Sequence, residues 1–498
     1  MFERFRMNHH IWKYLIFSSL LFLLFSPLAI SSVQAQNRLV LLGEQHWDTY
    51  GSGGTCDHGS NDLAIADVDG DGVNEIVTGG FTYGEVNGSE TPFQAPLTAY
   101  SWNGENFTLK QNLKWPGTIE VVYAADVDGD GKKEILTGGL FRNDSGTFSS
   151  LRVWRWSSSG FSLVTNYEGI SVSAISVSDI NKDGVQEILA TGNEGKPQTP
   201  NMLFLWHLQN NALILDNEWT LSVFNVGGAN SIYVADLAKD GQTEIVTAGY
   251  SGNLNASKGQ LCIWSLSGNS LTIKANSEWQ MVSSGYAPNI AGGVLGNTVV
   301  NSMKVGDLNG DGIPEVVTGG FTYDGSKAEG QLRVWGWDGT NLSLKSSKEW
   351  VDDDITTVLS VSIGDVDGDS KTEIVAGGML APYGSFNTNA TKTDRGQLGV
   401  WGWDGSNLAI KENQNWEYAE GVSVWNVGSS DFNNDGKVEI VSCGCISYER
   451  MCDPDMRIWL VESSASSFPT LPVAVSAIVG AVAVSTVVFV LVKKRLKK

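Results

Sequence analysis

The chain has 498 residues and a formal charge of −22, with 55 acidic against 33 basic side chains. No basic stripe runs through it, so nucleic acid is not an expected partner. No nucleophile elbow, phosphate-cradling glycine loop or paired-histidine metal motif occurs either, which leaves the familiar catalytic signatures unfilled.

In chain order, Arg4, Arg6 and Lys13 precede an apolar run from Tyr14 to about Ile30, and Val33-Gln34-Ala35 offers a small-residue cleavage site. Residues 1–35 therefore read as a secretory signal peptide. Residues 39–47 read as a strand ending in Trp47, with no partner before it.

The first distinctive stretch follows. Asp67, Asp69, Asp71 and Glu75 place oxygens at loop positions 1, 3, 5 and 9. The Val73 carbonyl adds another, and Gly72 at position 6 allows a sharp turn. Oxygen ligands on a flexible loop are calcium chemistry. A helix–loop–helix calcium site needs a bidentate Glu at position 12, where this chain has Thr78. Ile76-Val77-Thr78-Gly79-Gly80-Phe81 reads as a strand, so the oxygen cage is expected between strands.

The loop recurs six times. The second copy offers Asp126, Asp128, Asp130, the Lys132 carbonyl and Glu134. The third offers Asp179, Asn181, Asp183, the Val185 carbonyl and Glu187. In the fourth, Asp236, Asp240, the Gln242 carbonyl and Glu244 remain, because Ala238 replaces the position-3 ligand. The fifth has Asp307, Asn309, Asp311, the Ile313 carbonyl and Glu315. The sixth has Asp365, Asp367, Asp369, the Lys371 carbonyl and Glu373, with Ser370 in place of the turn glycine. The seventh has Asp431, Asn433, Asp435, the Lys437 carbonyl and Glu439.

Asp and Gly favour turns for their own reasons. A turn does not require acids at positions 1, 5 and 9 in seven copies, since crowded like charges repel without a cation. Up to seven calcium ions are expected, the Asp236 site weakest.

Between the loops runs an aromatic strand, clearest at Leu332-Arg333-Val334-Trp335-Gly336-Trp337 and Leu398-Gly399-Val400-Trp401-Gly402-Trp403. A turn and a further strand ending in an aromatic follow, making a hairpin. Recurring Trp and Tyr at one place per repeat read as packing between units. Each repeat supplies four strands, and the loops lie 53 to 71 residues apart. A four-stranded unit of this size repeated seven times predicts an all-β, seven-bladed β-propeller over residues 36–461. The coils of a β-helix are much shorter. The last repeat stops at its third strand, so 39–47 is expected to complete it and close the ring.

After a linker at 462–470, residues 471–492 are apolar and uncharged, and 493–498 are basic. Such a run is long enough for one transmembrane helix, with the basic tail cytoplasmic. With the leader's +2 and the tail's +5 set aside, the remainder carries −29. The expectation is a single-pass cell-membrane protein with its propeller outside.

The loops, with Gly79-Gly80-Phe81 and Gly319-Gly320-Phe321, resemble the FG-GAP or VCBS repeats of integrin α-subunit propellers and microbial surface proteins. The resemblance spans 39–461. It implies a seven-bladed propeller with calcium in the loops joining strands 1 and 2, and it implies no reaction. Integrin-type leg domains are absent from the sequence, which sets integrin-style signalling aside.

Strand parity puts the calcium loops and the 3–4 turns on one face and the 2–3 and 4–1 loops on the other. The C-terminal exit places the first face toward the membrane. The outward face then holds the long segments 48–62, 81–96, 280–301 and 379–396, with Tyr83, Phe93, Tyr286, Tyr323, Tyr383 and Phe386 as candidate glycan or protein contacts. Asn87, Asn106, Asn143, Asn255, Asn341 and Asn389 head glycosylation sequons. Cys56, Cys443, Cys445 and Cys452 cluster near that face, where an exported chain permits disulfides and three pairings are open. Cys262 reads as a lone buried thiol. His46 and His207 sit in strands, and His58 in an outward loop. The function expected first is a calcium-stabilised binding or adhesion module without enzymatic activity. A polysaccharide lyase or glycosidase on the same scaffold is the second reading, and a structural envelope protein the third.

Overall fold

The computed structural model describes residues 37–46, 59–86, 89–143, 146–195, 199–224, 227–253, 256–282, 297–382, 393–418, 421–448 and 451–463. All of these but Ser463 fall in one compact unit, Asn37–Glu462. The leader, the apolar run at 471–492 and the basic tail lie outside the described residues. Among the described residues no helix is long and apolar enough to cross a membrane, so the expected transmembrane helix has no counterpart there.

The described chain is almost wholly strand. After β1 (Asn37–His46), the first repeat gives β2 (Gly59–Ala66), β3 (Glu75–Val86), β4 (Ser89–Trp102) and β5 (Phe107–Pro116). The second gives β6 (Val121–Ala125), β7 (Glu134–Asn143), β8 (Gly146–Ser157) and β9 (Gly160–Glu168). The third gives β10 (Ser171–Ser178), β11 (Glu187–Asn193), β12 (Met202–Gln209) and β13 (Ala212–Thr220). The fourth gives β14 (Gly228–Ala235), β15 (Glu244–Ser251), β16 (Lys258–Ser267) and β17 (Ser270–Trp279). The fifth gives β18 (Thr298–Gly306), β19 (Glu315–Tyr323), β20 (Ala328–Trp337) and β21 (Leu342–Trp350). The sixth gives β22 (Ile355–Gly364), β23 (Glu373–Ala381), β24 (Arg395–Trp403) and β25 (Leu408–Trp416). The last gives β26 (Gly421–Ser430), β27 (Glu439–Tyr448) and β28 (Met451–Ser463).

The second strand of every repeat explains why the sheets stack. It opens with the position-9 Glu and continues with two apolar residues, such as Ile76-Val77, Ile245-Val246 and Ile440-Val441, all sealed from solvent. Successive side chains point to opposite faces, so each pair feeds two cores, one on each side of the sheet. The outermost strands instead alternate half-buried and exposed residues. Neighbouring repeats are wedged by rings. Trp115 packs on Trp154 with centroids 4.8 Å apart, Trp279 on Trp335 at 5.0 Å, Trp350 on Trp401 at 4.8 Å and Trp416 on Trp459 at 5.0 Å.

The expected seven blades are corrected here. Five sheets are four-stranded blades, and the eight strands of the fifth and sixth repeats share one sheet. Its two halves join through a single parallel bridge between Ala328 and Ile355, where the Ala328 N–H donates to the Asp354 carbonyl at 3.2 Å. The connection at 351–354 is short and brings Ile355 onto the preceding hairpin. Both bridge residues are buried beside Val299, Phe321, Met379 and Ala381, which holds the contact dry. In the last sheet the order is β1-β28-β27-β26, with the N-terminal strand outermost.

Candidate functional site

Each loop between first and second strands is wound on its own carboxylates. The position-6 N–H donates to the position-1 Asp in all seven copies, at 2.8–3.0 Å. The position-7 N–H donates to the position-5 Asp at 2.8–2.9 Å. Positions 4 and 6 have positive φ throughout, including Lys182, Lys239, Asn434 and Ser370. Sequence reasoning identified the glycine need at position 6 and missed position 4, where non-glycine residues hide it.

The position-9 Glu is the buried latch. One of its oxygens accepts the N–H of loop residue 2 in every copy, at 2.9–3.2 Å. The other oxygen looks into the loop. Burial raises the pKa of Glu75, Glu134, Glu187, Glu315 and Glu439 above the ordinary range, and that of Glu373 to about 6.

The structure brings carboxylates together most tightly in three loops. Oxygens of Asp67, Asp69 and Asp71, of Asp126, Asp128 and Glu134, and of Asp365, Asp367, Asp369 and Glu373 lie within 4.8 Å of one another. These acidic clusters could hold a metal, and an all-oxygen donor set fits a hard divalent ion such as Ca2+. Among the described residues no such convergence of three carboxylates occurs in the other four loops. There the position-3 Asn, where present, turns its amide onto the Glu: Asn181 Nδ2 to Glu187 at 2.9 Å, Asn309 to Glu315 at 3.3 Å and Asn433 to Glu439 at 3.2 Å.

Three basic residues reach these loops, and sequence reasoning did not single them out. Lys110 Nζ lies 2.6 Å from Asp69, 2.8 Å from Asp71 and 3.0 Å from Glu75. Lys411 Nζ lies 2.8 Å from Asp367, 3.2 Å from Asp369 and 2.6 Å from Glu373. Arg155 pairs with Glu134 at 2.9 Å and also with Asp128. Burial alone would lower the pKa of Lys110 and Lys411, yet the surrounding carboxylates hold both well above the ordinary lysine value. The hydrogen bond from Lys110 in turn holds Asp71 low. A lysine on an outer strand carries no motif, so only its paired register could have given the role away.

Neighbouring loops touch on this face. The Asn434 amide donates to the Gly72 carbonyl at 3.0 Å, and Lys182 donates to the Gly241 carbonyl.

A second feature lies at the centre. The first strands of the repeats surround a cavity of about 510 Å³, whose wall includes Asp62, Glu120, Tyr123, Tyr233, Lys304 and Trp425. Asp62 accepts N–H groups of Val122, across the repeat boundary, at 2.8 Å and of Leu63 at 2.9 Å. Protein surrounds Asp62 and Lys304, although the cavity leaves both reachable by solvent. Desolvation raises Asp62 to about 6 and lowers Lys304, each tempered by the other's charge.

His46 bonds Asp455 at 3.1 Å, and His207 bonds Asp216 at 2.8 Å. Both are strand residues held by carboxylates. Cys262 is a buried free thiol and Cys445 is disulfide-bonded. His58 and Cys56 fall outside the described residues, as do the side chains of Cys452, Tyr83, Phe93, Tyr286, Tyr383 and Phe386. Tyr323 is described, and it packs half-buried against the Phe321 and Ile355 cluster.

Residues 307–376 match the model of the FG-GAP-like repeat family. The likeness to integrin α-subunit propellers is general, one of fold class and loop pattern. Among solved structures, the chain is similar to Sqt1 from Chaetomium thermophilum at 13% identity and a TM-score of 0.43, over 82% of this chain and 83% of that one. None of the curated proteins matches the chain.

Proposed function

We propose that this FG-GAP repeat β-propeller is an exported, calcium-stabilised module, held at the cell surface, that binds a glycan or protein. The observation that carries the reading is the unequal treatment of its two faces. Every loop between first and second strands has eight residues, from 67–74 to 431–438, and the described 3–4 turns have two to four. Connections on the other face run from two residues, at 169–170, to eighteen, at 280–297. A scaffold that fixes one face and varies the other carries its recognition on the variable one, since loops tolerate change and hold function.

Ca2+, when bound, would supply positive charge to loops rich in acid. This chain's contribution is the position-1, -5 and -9 carboxylates, already wound on backbone N–H groups. The test probes glycan and protein arrays with the full chain, with and without calcium, and then compares Tyr83→Ala, Tyr323→Ala and Tyr383→Ala with alanine changes in the 3–4 turns. Binding lost only in the 3–4 turn variants would reverse the assignment of faces.

Asp62 and Lys304, both in the wall of the central cavity, favour a second reading, acid–base chemistry on a carbohydrate. Turnover of a polysaccharide that is lost in Asp62→Asn, with binding kept, would favour it over pure recognition.

A further inference from the structure

The three basic side chains sort by the residue at loop position 3. That residue is Asp69, Asp128 or Asp367 where a cation enters, and Asn181, Asn309, Asn433 or Ala238 elsewhere. With Lys110, Arg155 and Lys411 counted, all seven loops carry the same local charge of −3 over positions 1, 3, 5 and 9. The extra carboxylate and the extra cation arrive together.

The chain contains its own controls. Lys110 and Lys411 are the residues bulged out of register on the outer strand, opposite Ala99/Tyr100 and Val400/Trp401. The same bulge holds Lys274 in the fourth repeat and Lys345 in the fifth. Those two are exposed and, among the described residues, neither forms an ion pair with its loop. In the fifth loop the Asn309 amide already serves Glu315 and Asp311. In the second repeat the bulged residue is Val164, which has no charge to give. There Arg155, on the neighbouring strand, supplies it instead. A lysine at the bulge enters only where position 3 is Asp, so sequence position alone does not drive the insertion.

The atoms contacted decide what the insertion does. The Asp69 and Asp71 oxygens that accept backbone N–H groups are Oδ1. Lys110 takes the two Oδ2 atoms and Glu75 Oε1, the ones left over for a metal. Lys411 takes the equivalent three atoms in the sixth loop. A divalent ion could enter these two loops only by expelling a lysine already bound by three carboxylates, and the second loop only by expelling Arg155 from Asp128 and Glu134. We propose that Lys110, Arg155 and Lys411 stand in the cation positions of the first, second and sixth loops, so that these loops close without metal and at most four of the seven are left to calcium.

The proposal rests on the calcium reading only for the occupancy of those four. The experiment counts calcium bound per full chain by equilibrium dialysis in wild type, Lys110→Gln, Lys411→Gln, Arg155→Gln and the conservative Lys110→Arg. Wild type should bind four ions or fewer. Each Gln variant should gain one ion and melt lower than wild type in chelator, with calcium restoring it, while Lys110→Arg should match wild type. Wild type binding more than four overturns the proposal, as do Gln variants that gain no calcium. A wild type that binds none, beside Gln variants that gain one, would sink the calcium reading and uphold this one. Should no Gln variant fold, the wild-type count alone decides.

Discussion

In four repeats a hydroxyl at position 12 of the loop numbering holds an indole. The N–H of Trp154 donates to Thr137 at 2.9 Å, that of Trp264 to Thr247 at 2.8 Å, that of Trp335 to Thr318 at 3.1 Å and that of Trp459 to Ser442 at 2.9 Å. In two repeats position 12 is Ala190 or Ala376, and the buried indole nitrogens of Trp206 and Trp401 find no partner among the described residues. Ala376→Ser should therefore stabilise the fold by roughly 0.5–1.5 kcal/mol, the net worth of a hydrogen bond, read from denaturant melts. The absence of a position-12 carboxylate was legible in the sequence, but its reason was not, because the indole arrives from the next strand. Asp62 carries a pH signature. Its folded pKa of about 6 exceeds the unfolded value, so the folded state binds the extra proton. Its contribution is fully present below about pH 4 and is lost as pH rises through about 6. Melts from pH 4 to 6 should show a shallower pH-dependent loss of stability in Asp62→Asn than in wild type. Identical slopes would place the titration elsewhere.

At the scale of elements, strand type and order could be read from sequence with little ambiguity. Apolar pairs after each Glu and an aromatic-rich third strand in every repeat specify period-2 strands wherever they occur. The joining of two repeats into an eight-stranded sheet was not legible. It depends on one bridge, Ala328 to Ile355, set by the path of a four-residue connection rather than by any residue pattern. β1 raises a different question, because it alone shields the outer edge of β28. Leu39 is buried in the same core as Trp459 and Val461. Deleting residues 37–46 should leave β28 an unpaired edge, which invites association with other chains. Size-exclusion chromatography should then find aggregate, whereas a monomer with unchanged melting would show that the strand is dispensable.

For the whole molecule, charge is the dominant quantity. Twenty-four carboxylates stand at loop positions 1, 3, 5 and 9, and neighbouring loops touch at the Asn434–Gly72 and Lys182–Gly241 contacts. Such crowding destabilises a compact state unless cations offset it. The place of the acids in each loop was legible, since spacing alone sets it, and three of the seven loops bring their carboxylates together. The cations that enter three of them were hidden, because Lys110 and Lys411 sit 35 and 38 residues beyond the Glu they meet and look like ordinary exposed-strand lysines. The measurement that bears most directly on the proposed calcium-stabilised propeller is a pair of thermal melts of the full chain, one in excess calcium and one in chelator. An ion that binds only the folded state stabilises it by mass action, about 4 kcal/mol per site at a thousandfold excess over Kd. Melting several degrees higher in calcium is the predicted result, and superposable curves would contradict the account.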